Sequence, residues 1–406
     1  MHHPDYQEIG RRYRHHAGWD DAIPLSFPEE GVNLFSIRFT STTTDLLLGH
    51  EKYACKEHGL SFPAEPTVHD PPDYLIKENT AFRYLLVRDD GSQRHQRAVI
   101  LLHGLNERSF SKYISWAYQL WAALRDPVVL FPLSFHINRV NPSWMLDQQQ
   151  DFARRKALEG NQNVHRFNAV MSDRLGTHPE RFFWGGLQSY WDLVEFARLV
   201  RAGKHPHISP DARLDFVGFS AGGFVALDAV LENHEGLFDG SRLALFATCA
   251  AMRDVNVSSF LIVDQMAEVA LMNLYVKHMD KLRNDRLRHW MEEHPEGRWL
   301  NAFCGLKPDR AALGVRLSQC AARILGIANT NDQVFPPGAM YNALQGVHRD
   351  IPVQMRELDL GIHENPFSSP VYDQRDRTMI TKFLDFERYG RQFEEFVEMI
   401  ATHLEG

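Results

Sequence analysis

The sequence is poor in the features that mark several classes of protein. Only four of its 406 residues are cysteine, and they form no CxxC pair, which argues against a disulfide framework. No apolar run approaches the length of a membrane span, and the first residues lack the apolar core of a secretory signal. The net charge of −8 disfavours nucleic-acid and anionic-membrane partners, and the short basic cluster at residues 11–14 is interpreted as solvated. We therefore expect a cytoplasmic protein with free thiols.

The chain contains a series of short apolar segments. Hydrophobic residues make up 44% of it and charged residues 24%, which is typical of a globular protein with a sizeable core. Continuous apolar runs predict strands buried on both faces of a sheet, at residues 97–102, 127–133, 214–219, 241–250 and 322–328. Further strands are predicted at 32–40, 81–87 and 353–362, and helices at 113–124, 187–202, 338–344 and 378–404. This alternation predicts an α/β fold with a mainly parallel sheet covered on both faces.

One interval breaks the alternation of strands and helices. No strand is predicted between Ala250 and Ala322; residues 257–279 are instead apolar with a helical period, and a charged helix follows. An insertion of this size at one end of the sheet predicts a helical cap. The predicted division is an N-terminal extension with the first strands (1–96), an α/β core (97–250 and 322–406) and a cap (251–321).

A serine stands among glycines where a buried strand meets the following helix. Gly218-Phe219-Ser220-Ala221-Gly222 fits the G-x-S-x-G pattern of a nucleophile elbow, in the strand–turn–helix context that this motif requires. Small residues let the strand and helix close around a strained turn, and the helix N-terminus offers N–H groups to a developing negative charge. The alternative is a tight turn whose serine has no chemical role.

A serine hydroxyl is a useful nucleophile only with a base, and the base needs an orienting partner. Asp332 follows one predicted strand and His363 ends the next, so both are expected at the carboxyl edge of the sheet, where sites form in open α/β sheets. The chain order is Ser220, Asp332, His363. The alternatives are an ordinary loop aspartate, with Asp254 as the substitute acid, and a surface histidine, since the chain has 21 histidines.

This arrangement resembles the α/β-hydrolase superfamily over residues 97–404. The segment LLHGLN (residues 101–106) is similar to the His-Gly segment that ends an early strand in that superfamily and lines its oxyanion hole. The resemblance implies that the backbone N–H groups of Leu105 and Ala221 hold the oxyanion and that His103 is structural. It also implies a doubly wound sheet of the α/β-hydrolase type. The chain departs from a compact family member by its N-terminal extension, by the long stretch from His136 to Gly186 and by the helical cap insertion.

The sequence therefore predicts a serine hydrolase, foremost a carboxylesterase of small or medium acyl esters, that needs no cofactor. The same triad also fits an amide, thioester or carbon–carbon bond hydrolase or an acyltransferase, and a non-enzyme alternative is an inactive binding protein on this fold. No metal site is predicted, because the histidines at 15–16 and 205–207 lack a ligand set. Six apolar cap residues are candidates for lining an acyl pocket: Phe260, Leu261, Met266, Val269, Leu271 and Met272. The alternative is that they belong to a cap helix packed on the core.

Overall fold

The computed structural model describes residues 25–27, 31–65, 71–89, 91, 93–146, 148–277, 284–304, 309–368, 370–373, 378–381 and 385–406. The basic cluster at residues 11–14 and the histidine pair at 15–16 lie outside the described residues. Within those residues, no helix combines the length and the apolarity needed to cross a bilayer.

The strands of the described chain form one large sheet and two small hairpins. In chain order they are β1 (Leu25–Phe27), β2 (Val32–Thr40), β3 (Lys52–Cys55), β4 (Leu60–Pro63), β5 (Ala81–Asp89), β6 (His95–Leu102), β7 (Val128–Phe131), β8 (Ile208–Phe219), β9 (Leu243–Phe246), β10 (Ile324–Asn329), β11 (Gln354–Leu358), β12 (Pro370–Asp373) and β13 (Thr378–Thr381). The large sheet has nine strands in the order β1-β2-β5-β7-β6-β8-β9-β10-β11, and the hairpins are β3–β4 and β12–β13.

The strand directions give the sheet its type. All neighbours from β7 to β11 are parallel, whereas β5 is antiparallel to both β2 and β7. The chain thus moves outward to β7 and crosses back over β6 to β8, which winds helices onto both faces. This is the predicted α/β fold, with a mainly parallel, doubly wound sheet of the α/β-hydrolase type.

Helices cover both faces of the large sheet. In chain order the α-helices of the described residues are α1 (Lys77–Thr80), α2 (Ser111–Leu124), α3 (Pro142–Leu146), α4 (Gln148–Lys156), α5 (Ala169–Thr177), α6 (Arg181–Arg201), α7 (Ala221–Glu232), α8 (Gln265–Met272), α9 (Asp285–Glu293), α10 (Pro295–Cys304), α11 (Asp309–Cys320), α12 (Pro337–Leu344) and α13 (Phe386–Glu405). Alternate residues of β6 point to opposite faces: Ile100 packs with α6 and α7, and Val99 packs with α2 and α13. Both faces are buried, which explains the continuous apolar runs in the sequence.

The predicted cap helices contribute to a third apolar cluster. It includes Met171 of α5, Trp184 of α6, Leu271 of α8, Trp290 of α9 and Tyr53 of the β3–β4 hairpin. A buried ion pair joins α4 to the start of α8, with Arg155 Nε 2.7 Å from an Asp264 carboxylate oxygen. No element was predicted for the residues of α4 and α5, and the structure packs both helices with the predicted cap.

Two predicted helices were wrong in their extent. The closing helix begins at Phe386, not at residue 378. Residues 378–381 (TMIT) pair with β12 as a strand instead, and threonine and isoleucine favour strands. The helix starts after Asp385, whose carboxylate accepts the N–H of Arg388 as an N-cap. The helix predicted for residues 257–279 begins only at Gln265. Its N-cap is Asp264, whose side chain accepts the N–H of Ala267.

Candidate active site

The corner after β8 requires its small residues. Ser220 has φ +50° and ψ −124°, a backbone conformation that is strained for an L-residue and common at functional sites. A Cβ on Gly218 would lie 2.6 Å from the Cα of Gly223, and a Cβ on Gly223 would lie 2.3 Å from the Thr248 side chain. A Cβ on Gly222 would lie 2.6 Å from a carbonyl oxygen at the end of β6. The glycines therefore let β6, β8 and α7 close up beneath Ser220, whose carbonyl accepts the Thr248 hydroxyl.

The structure brings the three predicted side chains together in a hydrogen-bonded series. Ser220 Oγ lies 3.0 Å from His363 Nε2, and His363 Nδ1 lies 2.9 Å from Asp332 Oδ2. All three residues are buried. A carboxylate only accepts, so Nδ1 carries the ring proton and Nε2 turns its lone pair toward the serine hydroxyl. This tautomer is the one that can accept a proton from Ser220.

Backbone hydrogen bonds hold the second carboxylate oxygen of Asp332, the one that does not contact His363. Asp332 Oδ1 accepts the backbone N–H groups of Val334 and Phe335, each at 2.8 Å. These two bonds fix the carboxylate in an Asx-type turn at the end of β10. Asp254, the substitute acid, is a third exposed and contacts Arg253 instead. Asp332 is therefore the carboxylate that orients His363.

Two aromatic rings enclose the imidazole. The Phe219 ring stacks on His363 with a centroid distance of 5.1 Å and an angle of 30°, and the Phe335 ring does so at 5.3 Å and 26°. Both phenylalanines are buried. The imidazole plane is thus set by packing as well as by hydrogen bonds, and water is kept from its faces.

An asparagine that the sequence reasoning missed positions the histidine loop. Asn329, the last residue of β10, accepts the N–H of Leu360 at 3.0 Å and donates to the carbonyl of Gly361 at 2.9 Å. Asn329 is buried and lies three residues before Asp332. The loops that carry the acid and the base are therefore linked directly. A polar residue at the end of a buried strand was the available signal.

His103 is not available as a base. Its Nδ1–H donates to the carbonyl of Gly104 at 2.8 Å, and its Nε2 accepts the N–H of Leu133 at 2.9 Å. Burial lowers the pKa of His103 well below its usual value, so the ring stays neutral. The ring joins the ends of β6 and β7 and fixes the loop that continues into Leu105.

Ser220 borders an apolar cavity on one side. The cavity is also lined by Leu105 and Ala221. Of the six cap residues considered for an acyl pocket, Leu271 lines this cavity, whereas Phe260 and Val269 are each 42% exposed and do not line it. A further apolar cavity shares Leu105, Phe182, Ala221 and Phe224 with the first.

A more polar pocket also borders Ser220. It is lined by Ser220 and His363 together with Asn106, Arg108 and Lys112. Lys112 Nζ donates to the carbonyl of Glu364 at 2.9 Å, and Arg108 donates to the carbonyl of Phe167 at 2.5 Å. The Ser220 hydroxyl therefore borders an apolar compartment and one lined by Arg108 and Lys112 together with Glu107 and Glu364, and Lys112 is ion-paired with Glu107.

A second cluster of reactive side chains was missed from the sequence. The ligand atoms of Cys55, His58, His289 and His294 all lie within 4.8 Å of one another. The signal was present as Cys-x₂-His and His-x₄-His, which are spacings typical of zinc ligands. It was overlooked because the two halves are more than two hundred residues apart in the chain.

Comparison with known proteins places the chain in a family. The esterase Est22 covers 93% of this chain and 83% of its own at 12% identity and a TM-score of 0.47. An S-formylglutathione hydrolase from Agrobacterium tumefaciens covers 95% and 100% at 13% identity and a TM-score of 0.47. Likeness at this level does not identify a reaction. None of the curated proteins matches the chain significantly in sequence. The model of a family of unknown function, DUF6051, matches residues 6–393, so the chain belongs to that family.

Proposed function

We propose that the protein is a serine hydrolase that cleaves carboxylic esters with small or medium acyl groups. The observation that carries this proposal is the series of contacts from Ser220 through His363 to Asp332, at 3.0 and 2.9 Å. A hydroxyl with an adjacent base, itself oriented by a carboxylate, is the arrangement that activates serine for acyl transfer. The strained backbone at Ser220 and the burial of all three groups support the same role.

The proposed reaction passes through an acyl-enzyme. Ser220 Oγ attacks the acyl carbon while His363 Nε2 takes the hydroxyl proton, and Asp332 stabilises the imidazolium. The backbone N–H groups of Leu105 and Ala221 hold the resulting oxyanion; one such donor is worth about 10²–10³ in rate. Collapse of the tetrahedral intermediate expels the alcohol, which receives the proton from His363. Water then attacks the acyl-serine by the same route and releases the acid.

The two compartments suggest how an ester would lie. The apolar cavity beside Leu105 and Ala221 suits the acyl chain, because each buried methylene contributes about 0.8 kcal/mol. The polar pocket with Arg108 and Lys112 adjoins His363, which must protonate the leaving alcohol. The arrangement therefore favours an apolar acyl group and a polar leaving group.

An acyl series of p-nitrophenyl esters tests the proposal. The ratio kcat/KM should rise roughly fourfold for each added methylene until the cavity is filled, since 0.8 kcal/mol corresponds to about that factor. Ser220→Ala should reduce turnover to background. Ser318→Ala, which changes an exposed serine on α11, is the matched control and should leave turnover unchanged.

The same acyl group presented as an anilide or a thioester separates the alternatives. Faster cleavage of either than of the ester would assign the triad to amide or thioester chemistry. No turnover of any substrate by folded protein would favour an inactive binding protein on this fold.

A further inference from the structure

The four side chains of the Cys–His cluster converge from two distant segments. Cys55 ends β3 and His58 lies in the turn to β4, whereas His289 lies on α9 and His294 lies between α9 and α10. Cys55 Sγ is 3.4 Å from His58 Nδ1 and 3.4 Å from His294 Nε2. His294 Nε2 is in turn 3.2 Å from His289 Nε2. A thiol and three imidazole nitrogens therefore face one common point.

These separations match the edges of a zinc coordination tetrahedron. With zinc–nitrogen bonds of 2.0–2.1 Å and a zinc–sulfur bond of 2.3 Å, two nitrogen ligands lie about 3.3–3.4 Å apart, and a sulfur and a nitrogen lie about 3.5–3.6 Å apart. The corresponding distances in the cluster are 3.2 and 3.4 Å. Three of the six separations among the four ligand atoms therefore approach tetrahedral edges, and the other three are at most 4.8 Å.

We propose that Cys55, His58, His289 and His294 bind one zinc ion in a structural site. Thiolate and imidazole are the ligands that zinc prefers in tetrahedral sites, and four protein ligands leave no open position for substrate or water. Cys55, His289 and His294 are buried, so the ion is enclosed on three sides, with the exposed His58 at the rim.

The surroundings of His294 fit a metal ligand. Its second ring nitrogen, Nδ1, lies 3.5 Å from a carboxylate oxygen of Glu57 and 3.9 Å from one of Glu296, both longer than an ordinary hydrogen bond, so the carboxylates stand behind the ring within ion-pair range. A carboxylate behind a ligating imidazole fixes its tautomer and orientation in many zinc sites. The Trp290 ring stacks on His294 with a centroid distance of 3.8 Å, which holds the imidazole plane.

The site would add a metal bridge between the β3–β4 hairpin and the α9–α10 corner. Near the hairpin, Arg286 of α9 already pairs with Glu65 at 3.4 Å and donates to the carbonyl of Leu46 at 2.6 Å. The β3–β4 hairpin has only four residues in each strand, and one strand is largely exposed, so it is too small to be stable alone. A metal bridge to the α9–α10 corner would fasten this hairpin to the cap. Ligands 239 residues apart close a long loop, and binding energy at such a site adds to the free energy of unfolding. The role is separate from the proposed triad, so each can fail without the other.

Metal content of the untagged full-length protein tests the proposal. Protein purified after growth with zinc and gel-filtered without chelator should contain about one zinc per chain by plasma mass spectrometry. The double variant Cys55→Ser/His294→Asn should contain less than a tenth of that amount. Cys320→Ser, which removes a buried free thiol outside the cluster, should retain the wild-type content.

A second measurement covers the case in which the double variant does not fold. Wild-type protein refilled with cobalt should show the intense visible bands of a tetrahedral site and a thiolate-to-cobalt charge-transfer band. His58→Ala changes an exposed residue and should keep its fold. It should lose its zinc at a chelator concentration at least about tenfold lower than the concentration that removes zinc from wild type. Wild-type protein that binds no zinc or cobalt, or variants with wild-type zinc content, would overturn the proposal and leave a hydrogen-bonded Cys–His cluster.

Discussion

Replacement of Asp332 by asparagine should abolish most turnover while it preserves the fold. Asp332 Oδ1 holds two backbone N–H groups at 2.8 Å, and an asparagine oxygen can keep both bonds. The new amide nitrogen must then occupy the position of Oδ2 and donate to His363 Nδ1. The ring proton moves to Nε2, which can no longer accept the proton of Ser220. This change of tautomer costs about 10⁴ in kcat, or roughly 5 kcal/mol of transition-state stabilisation.

The assay compares kcat and KM for the best p-nitrophenyl ester between wild type, Asp332→Asn and Asp254→Asn. Asp254 is the other aspartate considered from the sequence, is a third exposed and contacts Arg253, so its variant should remain within about twofold of wild type. KM should change little in either variant. Wild-type kcat in Asp332→Asn, or a loss confined to Asp254→Asn, would refute the assignment of the acid.

Three changes test the packing that supports the site. Gly223→Ala should lower the free energy of unfolding by about 1–3 kcal/mol in urea titrations, because the new Cβ would overlap the Thr248 side chain. The control Gly338→Ala, which has open space around it, should leave the free energy of unfolding unchanged or raise it. Arg155→Met should cost about 3–5 kcal/mol because it leaves the carboxylate of Asp264 buried and uncompensated. Neither carboxylate oxygen of Asp228 has a hydrogen-bond partner among the described residues, and burial raises its pKa well above the usual value. Above a pH of about 4 the unfolded chain releases this proton while the folded chain retains it, so stability falls as the pH rises toward the raised pKa. Asp228→Asn should therefore be more stable than wild type at pH 8 and nearly equal to it at pH 4.

The sheet core was predictable because its pattern is local. In the run from Ala98 to Leu102, neighbouring side chains enter different apolar clusters on the two faces, so every residue must be apolar. The β3–β4 hairpin gave no such signal, because most of its side chains are exposed and its sequence is mixed. The short strand at residues 378–381 was also lost, since its pairing with residues 370–373 depends on contacts rather than on a period.

The candidate site was predictable where a rule connects sequence to position. The elbow is one continuous segment, and the carboxyl edge of a parallel sheet collects residues such as Asp332 and His363 from separate strands. A polar residue at the end of a buried strand marks Asn329 as notable, but its link to the histidine loop and the stacking of Phe335 on the imidazole depend on contacts between distant segments. Those roles appear only once the loops after β10 and β11 are brought together. The Cys–His cluster was hidden for the same reason.

The most direct test of the central claim is covalent labelling of the proposed nucleophile. Wild-type protein and Ser220→Ala would be treated with a fluorophosphonate, and intact mass followed by peptide mapping would be measured on both. An activated serine predicts a single adduct on wild type, located at Ser220, and none on the variant. Folded wild type without an adduct, or equal labelling of both proteins, would contradict the account.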